Sequence, residues 1–428
     1  MLHVCSANAF SPVETRGINM EHYDYIVVGA GIEGSWTAYQ LVKGAEKKPS
    51  VLLLERFPLP HSRGSSHGQT RIIRNAYPDA FHTSIMPTAF REWQKLQAES
   101  GVDVLVPKPL LLIANEEGYK KMDKIIACVN EEKAKQPDAD IQLKELSREE
   151  LETEFPQAKF SSQHRACVEH TAGILRADKC VATVQSEFKK LGGVIRDGFE
   201  VTSVVPGERV TVRGRFNNQA ASVTASKLAI CAGPWASKLI DPLLPTSKTN
   251  AYSHERHKHS FRLSELPLEA LRILVFYWKI KENGPGAIPS TFIDCGEGDF
   301  WGIPELEYPH MYKLSNPSYT DQVEPDDRDK NVGAPDYSSI ADYIEKYFPG
   351  LEIKPSIVET CMYTVTPDLT CILDTVPGHR NIAFGCGFSG IGFKKAPAVG
   401  IMIKQLLNPE EEKILDSTAF RLSRFSTD

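Results

Sequence analysis

Residues 23–55 constrain this chain more than any other stretch. An apolar run, Tyr25 to Val28, leads into Gly29-Ala30-Gly31-Ile32-Glu33-Gly34. A helix-like segment follows from Ser35 to about Lys43, and a second apolar run, Val51 to Leu54, ends on Glu55. The order predicts strand, glycine turn, helix, strand and acid. Gly29 allows the tight turn, Gly31 lets the backbone approach a pyrophosphate, and Gly34 lets helix and strand pack closely. The helix N-terminus offers free N–H groups and the positive end of a dipole to an anion. Glu55 stands 21 residues past Gly34, where a ribose-binding acid belongs. This predicts a dinucleotide site in a Rossmann-like α/β domain, without separating NAD from FAD.

A chain of 428 residues has length for two or three domains. The formal net charge of −6 gives no bulk basic surface for nucleic acid or anionic membrane. No window of about 18 uncharged apolar residues is long enough to span a bilayer. The nine cysteines are scattered without a CxxC pair, which points to a reducing compartment, without structural disulfides or zinc. Residues 1–19 lack an apolar core of secretory type and read as a flexible tail, with Met20 as an alternative start. The ending Ser426-Thr427-Asp428 is not an SKL-type address. The expected location is intracellular.

Glu55 is followed by a long loop, residues 56–74, with two histidines and four arginines. Loops of this length in compact domains are often functional, and its place after the ribose strand favours one that folds back over the site. Helical spacing follows over 80–100, and Pro107 to Ala114 reads as a strand. Charged helices are expected over 116–135 and 147–155, and an amphipathic helix over Ala177 to Leu191. Val194 to Val204, Arg209 to Val212 and Ser222 to Cys231 read as strands. The last of these enters Ala232-Gly233-Pro234-Trp235, either a second approach to the cofactor or a packed turn. Residues 244–350 are rich in proline and aromatics with short strand-like runs, which predicts an antiparallel-sheet domain. His254, His257 and His259 share no strand or helix period, and no metal is assigned to them. Lys313, in a strand-like run, has the ordinary reading of an exposed lysine.

A final block repeats the opening logic. A strand ending at Asp374 and another over Asn381 to Gly385 enter Gly387-Phe388-Ser389-Gly390-Ile391-Gly392-Phe393-Lys394, then a helix to about Leu407. Two strand–glycine–helix units about 360 residues apart predict an interrupted cofactor domain, 20–110, 165–243 and 351–428. The interrupting substrate domain is expected over 111–164 and 244–350.

Four further stretches, PHSRGSSHGQTRIIRNAY (60–77), AGPW (232–235), CMYTVTPD (361–368) and GFSGIGFK (387–394), give the chain a specific resemblance. From about Tyr23 to Phe425 it resembles the monomeric sarcosine oxidase and peroxisomal sarcosine/pipecolate oxidase family, within the glycine-oxidase-type (DAO) flavoenzymes. The resemblance implies FAD rather than NAD, joined covalently through Cys361. It implies that Arg74 and Lys394 bind the substrate carboxylate, that Tyr363 lines the same pocket, and that His67, Thr70 and Arg71 lie along the flavin. Arg56, His61, Ser65, Ser66, Val201, Gly233, Trp235, Gly390 and Gly392 fall among the cofactor contacts. Lys313 matches the lysine that favours reaction with oxygen near flavin N5.

The implied activity is oxidation of a secondary-amine amino acid such as L-pipecolate, sarcosine or L-proline, with O2 reduced to H2O2, by a monomer that the resemblance places in the peroxisome and the missing SKL-type ending leaves open to the cytoplasm. Two positions depart from the family: Trp301 replaces a pocket tyrosine and Pro317 a histidine. They keep open an oxidase of a bulkier N-substituted amino acid, of fructosyl amino acid or saccharopine type. The same motifs would also serve a flavin dehydrogenase that avoids oxygen, or a non-enzymatic flavin-fold binding protein. Residues 246–262 have no clear family counterpart.

Overall fold

The computed structural model describes residues 21–45, 47–245, 251–254, 257–262, 265–317, 320–330 and 332–425. The expected tail 1–19, Met20 and residues 426–428 lie outside the described residues. Ala251–His254 pairs with His257–Arg262, and nothing further is described of the histidine side chains there.

The opening motif folds as its spacing dictates. Strand His22–Val28 leads through the glycine turn to helix Ile32–Val42 and strand Val51–Leu54. The helix starts at Ile32 rather than Ser35 because Gly31 already occupies the N-cap position. His22–Val28 pairs in parallel with Val51–Leu54 and with Gln219–Ile230, and Gln219–Ile230 pairs in parallel with His379–Cys386. Val27, Val51 and Leu53 enter one core cluster with Trp36 and Trp93; Ile26, Val28, Leu52 and Leu54 enter another. Both sheet faces are therefore covered, which is why these strands read as continuous apolar runs rather than alternating ones. Each such side chain contributes about 1.5–3 kcal/mol by leaving water. On the first face Trp36 meets Trp93 of helix Ala80–Ser100 edge to face at 5.0 Å.

A second sheet of nine strands is mostly antiparallel. Its spine is Glu269–Ile280, which pairs with Leu351–Val365, Met311–Ser315 and Thr320–Gln322. Beyond Met311–Ser315 come Trp301–Ile303, Thr291–Asp294, Leu110–Ala114, Arg165–Glu169 and Leu143–Leu146. A three-stranded sheet, Thr70–Ile73, Gly173–Arg176 and Leu105–Pro107, carries the end of the long loop. The fold is thus the expected α/β architecture with a second, mainly antiparallel sheet.

Some boundaries differ. The run Pro107 to Ala114 divides into Leu105–Pro107 and Leu110–Ala114, which join different sheets; Pro107 and Pro109 deprive the junction of ladder donors. Val194 to Val204 divides at Gly198, whose φ of +73° turns the chain. Arg165–Glu169 and Leu351–Val365, expected on the cofactor side, are hydrogen-bonded into the second sheet. Among the described residues, no helix is long and apolar enough to cross a membrane.

Candidate active site

A cavity of about 910 Å³ runs between the first and last glycine turns. It is lined by Gly29, Gly31, Glu55, Arg56, His61, Ser65, Ser66, His67, Arg71, Val201, Gly233, Trp235, Tyr363, Gly390 and Gly392, all expected at the site. Gly34 lies behind it. A Cβ on Gly34 would collide with the Gly29 carbonyl, and a Cβ on Gly29, whose φ is +99°, with the Cys231 carbonyl. The turn therefore lies bare against its neighbours, with the N-terminus of helix Ile32–Val42 presented to the cavity. Glu33, inconspicuous in the sequence, also faces it; burial pushes its carboxyl up to about 7.

Glu55 is buried, and its two oxygens accept from Ala30 N (2.8 Å) and Phe57 N (3.0 Å), with His61 Nε2 at 3.3 Å. It pins the glycine turn to the start of the loop as well as facing the cavity. Arg71 donates to the carbonyls of Thr70, Ser65 and His67 (2.7, 3.0 and 2.6 Å). Its guanidinium is thus spent on shaping the loop. Burial pushes the His67 ring below its usual value. Its nitrogens face the carbonyls of Gly64 (2.6 Å) and Thr360 (3.3 Å), which ties the loop to the strand carrying Cys361. Arg56 pairs with Asp326 (2.7 Å) and Glu200 (3.1 Å), and Trp235 Nε1 donates to the same Asp326 at 2.9 Å.

Arg74 and Lys394 carry no carboxylate partner among the described residues. The Arg74 guanidinium lies 4.2 Å from the centre of the Tyr77 ring and donates to the Ala76 carbonyl. Lys394 is 8% exposed, and burial, with Arg74 and Arg71 adding repulsion, pushes its amine down to about 7. The nearby acid Glu169 is fully buried but committed, accepting from Asn75 N, Asn75 Nδ2 and Ala76 N. Cys361 is buried and shares a strand face with Tyr363, two residues on, which lines the cavity. Burial pushes the Tyr363 hydroxyl up to about 12.

Thr70, Arg74, Lys313, Cys361 and Lys394 do not line the large cavity. The exposed reading of Lys313 is corrected: it is 6% exposed, because its strand lies inside the second sheet between Glu269–Ile280 and Trp301–Ile303. Its Nζ is 3.1 Å from Glu307 Oε1 and 3.2 Å from Thr70 Oγ1. Glu307, its partner Tyr277 and, on the far side of the Tyr277 hydroxyl, Glu359 escape sequence reasoning. Their one local signal is an acid six residues before Lys313.

Residues 24–406 match the model of the family described as "FAD dependent oxidoreductase". The chain belongs to that family. A Mus musculus protein named peroxisomal sarcosine oxidase is 37% identical over 417 residues, 95% of this chain and 97% of its own length. Its Homo sapiens counterpart is 34% identical over 94% of this chain and 96% of its own. Among solved structures, an L-proline dehydrogenase from P. horikoshii superposes with a TM-score of 0.74 at 19% identity, covering 95% of this chain and 98% of that one; this likeness concerns the fold.

The cavity fits FAD. Its glycine turn leaves no room for side chains at Gly29 and Gly34, a helix N-terminus suits a pyrophosphate, and Glu55 lines the same cavity. Among the described residues, no group of three or more His, Cys, Asp or Glu could hold a metal ion.

Proposed function

We propose that this protein is an FAD-dependent oxidase of a small secondary-amine amino acid, of sarcosine, L-pipecolate or L-proline type, forming an imine and hydrogen peroxide. The observation that carries the reading is the buried Lys394, without a carboxylate partner among the described residues, with the half-buried Arg74 close enough to repel it and with its neighbours Gly392 and Phe393 lining the cavity suited to FAD. Buried charge demands a partner. A substrate carboxylate supplies one, bidentate on the guanidinium with the ammonium as a second charge. FAD, when bound, supplies the two-electron acceptor for the C–H bond beside nitrogen. Arg74 and Lys394 orient the substrate, Tyr363 and Trp301 wall the amine side, and Lys313 serves the oxygen step. The substrate reacts as its neutral amine.

Cys361 is proposed to hold the flavin covalently. Acid precipitation should carry the yellow colour into the pellet, and Cys361→Ser should leave it in the supernatant; colour in the wild-type supernatant refutes the link. The domain division is proposed as a cofactor part built on the mixed eight-stranded sheet that carries His22–Val28 and a substrate part built on the nine-stranded one. The names of the mammalian and bacterial relatives support a monomer in the peroxisome.

A second reading, a flavin dehydrogenase, is favoured by one observation: Glu307 offsets the charge of Lys313. Peroxide released per substrate consumed separates the two. A one-to-one ratio supports the oxidase, while activity only with an artificial acceptor supports the dehydrogenase.

A further inference from the structure

Lys313 ends a hydrogen-bonded chain that reaches the protein surface. Its ammonium pairs with Glu307 at 3.1 Å, and both side chains are under a tenth exposed. Thr70 donates to the same carboxylate oxygen while standing 3.2 Å from Lys313 Nζ. The other Glu307 oxygen takes a bond from the Tyr277 hydroxyl, and that hydroxyl also lies 2.9 Å from Glu359 Oε2. Glu359 Oε1 accepts from Tyr308 at 2.7 Å. Glu359 and Tyr308 are only half-buried, so the chain runs from the interior outward.

Two features set this chain apart from a structural ion pair. A phenol has one proton, yet Tyr277 stands between two carboxylates and can donate to only one of them at a time. The second contact becomes a hydrogen bond only when that carboxyl carries a proton, so the hydroxyl is a junction across which a proton can pass. A small cavity of about 10 Å³ also lies among Thr70, Tyr277, Glu307, Tyr308 and Lys313, close to the least space that admits one water. Burial drives Lys313 toward its neutral form, and Glu307 works against that. As a source of stability such a pair is a poor choice, since apolar residues of similar volume often serve as well or better.

We propose that Glu307, Tyr277 and Glu359 form a proton-return path to Lys313, with Glu307 also keeping that lysine charged. The inference rests on the oxidase reading above. Converting O2 to H2O2 takes two electrons and two protons. Both electrons and one proton arrive with the reduced flavin; the second proton comes from Lys313, whose N–H bond breaks as an O–H bond forms. The return starts at solvent: Glu359 takes a proton from water, Tyr277 accepts that proton as it hands its own to Glu307, and the newly protonated Glu307 gives it to the neutral amine, which restores both carboxylates, the phenol and the ammonium. Each link shifts one proton, and one solvent proton enters per turnover. Glu307, Tyr277 and Glu359 are positioning and relay groups rather than contacts of the substrate.

The test uses the holoenzyme and Tyr277→Phe, which cuts the junction but leaves Lys313, Glu307 and Thr70 in place. The reduced protein is mixed with O2 in H2O and in D2O across pH, and flavin reduction by substrate is followed separately without oxygen. The oxygen step should slow on the order of 10²-fold, fall as pH rises, and show a larger solvent deuterium effect than wild type, while flavin reduction is unchanged. Glu359→Gln, at the half-buried end, carries the same expectation should Tyr277→Phe fail to fold. A readout independent of turnover is the unfolding cycle of Glu307→Gln and Lys313→Met: Lys313→Met should cost less in the Glu307→Gln background. An unchanged oxygen step, or a slower one with wild-type pH and isotope dependence, overturns the relay; additive unfolding effects overturn the charge-holding role. A wild-type protein that forms no peroxide refutes the oxidase reading instead, and the unfolding cycle still reports on Glu307.

Discussion

The buried amine of Lys394 gives carboxylate binding a pH dependence that can be worked out from the structure. Burial, with Arg74 and Arg71 adding repulsion, sets this amine at about 7 in the folded protein, against about 10.4 for a free lysine. That gap corresponds to roughly 4–5 kcal/mol of opposition to the charged form. The folded value lies below the unfolded one, so the unfolded chain holds the extra proton between them, and stability rises with pH over that interval. Below about pH 7 the folded state bears the full cost of the charge, so Lys394→Met should raise the unfolding temperature most there. A bound carboxylate reverses the balance by favouring the ammonium. Binding above pH 7 therefore takes up a proton, and affinity should fall up to about tenfold per pH unit. The assay is titration of the holoenzyme with a small carboxylate that has no amine, followed by the flavin spectrum from pH 6 to 9, for wild type and Lys394→Met. Wild type should bind with constant affinity below 7 and weaken above it; Lys394→Met should bind more weakly and without that slope. A wild-type affinity flat from 7 to 9 refutes the assignment of Lys394 to the carboxylate.

Three substitutions probe the rest of the site. Gly34→Ala should cost about 3 kcal/mol or more, because its methyl meets the Gly29 carbonyl inside the turn; denaturant unfolding and flavin content report it, and a wild-type midpoint contradicts it. Glu55→Ala orphans the Ala30 and Phe57 N–H groups and should loosen FAD about tenfold or more without altering substrate preference, measured in a Cys361→Ser background so that a covalent link does not mask release. Glu169→Gln presents an amide to N–H donors of Asn75 and Ala76; it should destabilise the protein by about 1–3 kcal/mol and raise KM more than it lowers kcat, since the segment it holds adjoins Arg74.

What the sequence reveals and conceals follows from how far apart the interacting residues lie. The Gly29–Glu55 unit is a local pattern in which strand, turn, helix and acid are consecutive, and it folds as read. Helix Ala80–Ser100 has the bounds its spacing predicts, and Ile85, Trp93 and Leu96 of the apolar stripe are buried, while Phe81 and Phe90 are only partly so. Lys313, in contrast, looks like any strand lysine, because its burial depends on strands on either side that are distant in sequence. Glu307, Tyr277 and Glu359 come from a hairpin turn and two long strands, and no spacing joins them. Leu351–Val365 has a solvent-facing pattern over its first half and gives no hint of its long pairing with Glu269–Ile280. Arg71 is the subtler case: its place beside the site is legible, but its three bonds to loop carbonyls are not.

The oxidase assignment is tested most directly by supplying the purified yellow protein with sarcosine, L-pipecolate and L-proline and measuring peroxide against substrate consumed. At least one of the three should bleach the flavin without oxygen and yield one peroxide per substrate in air. A flavin left oxidised by every secondary amino acid, or bleached without peroxide on admission of air, would contradict it.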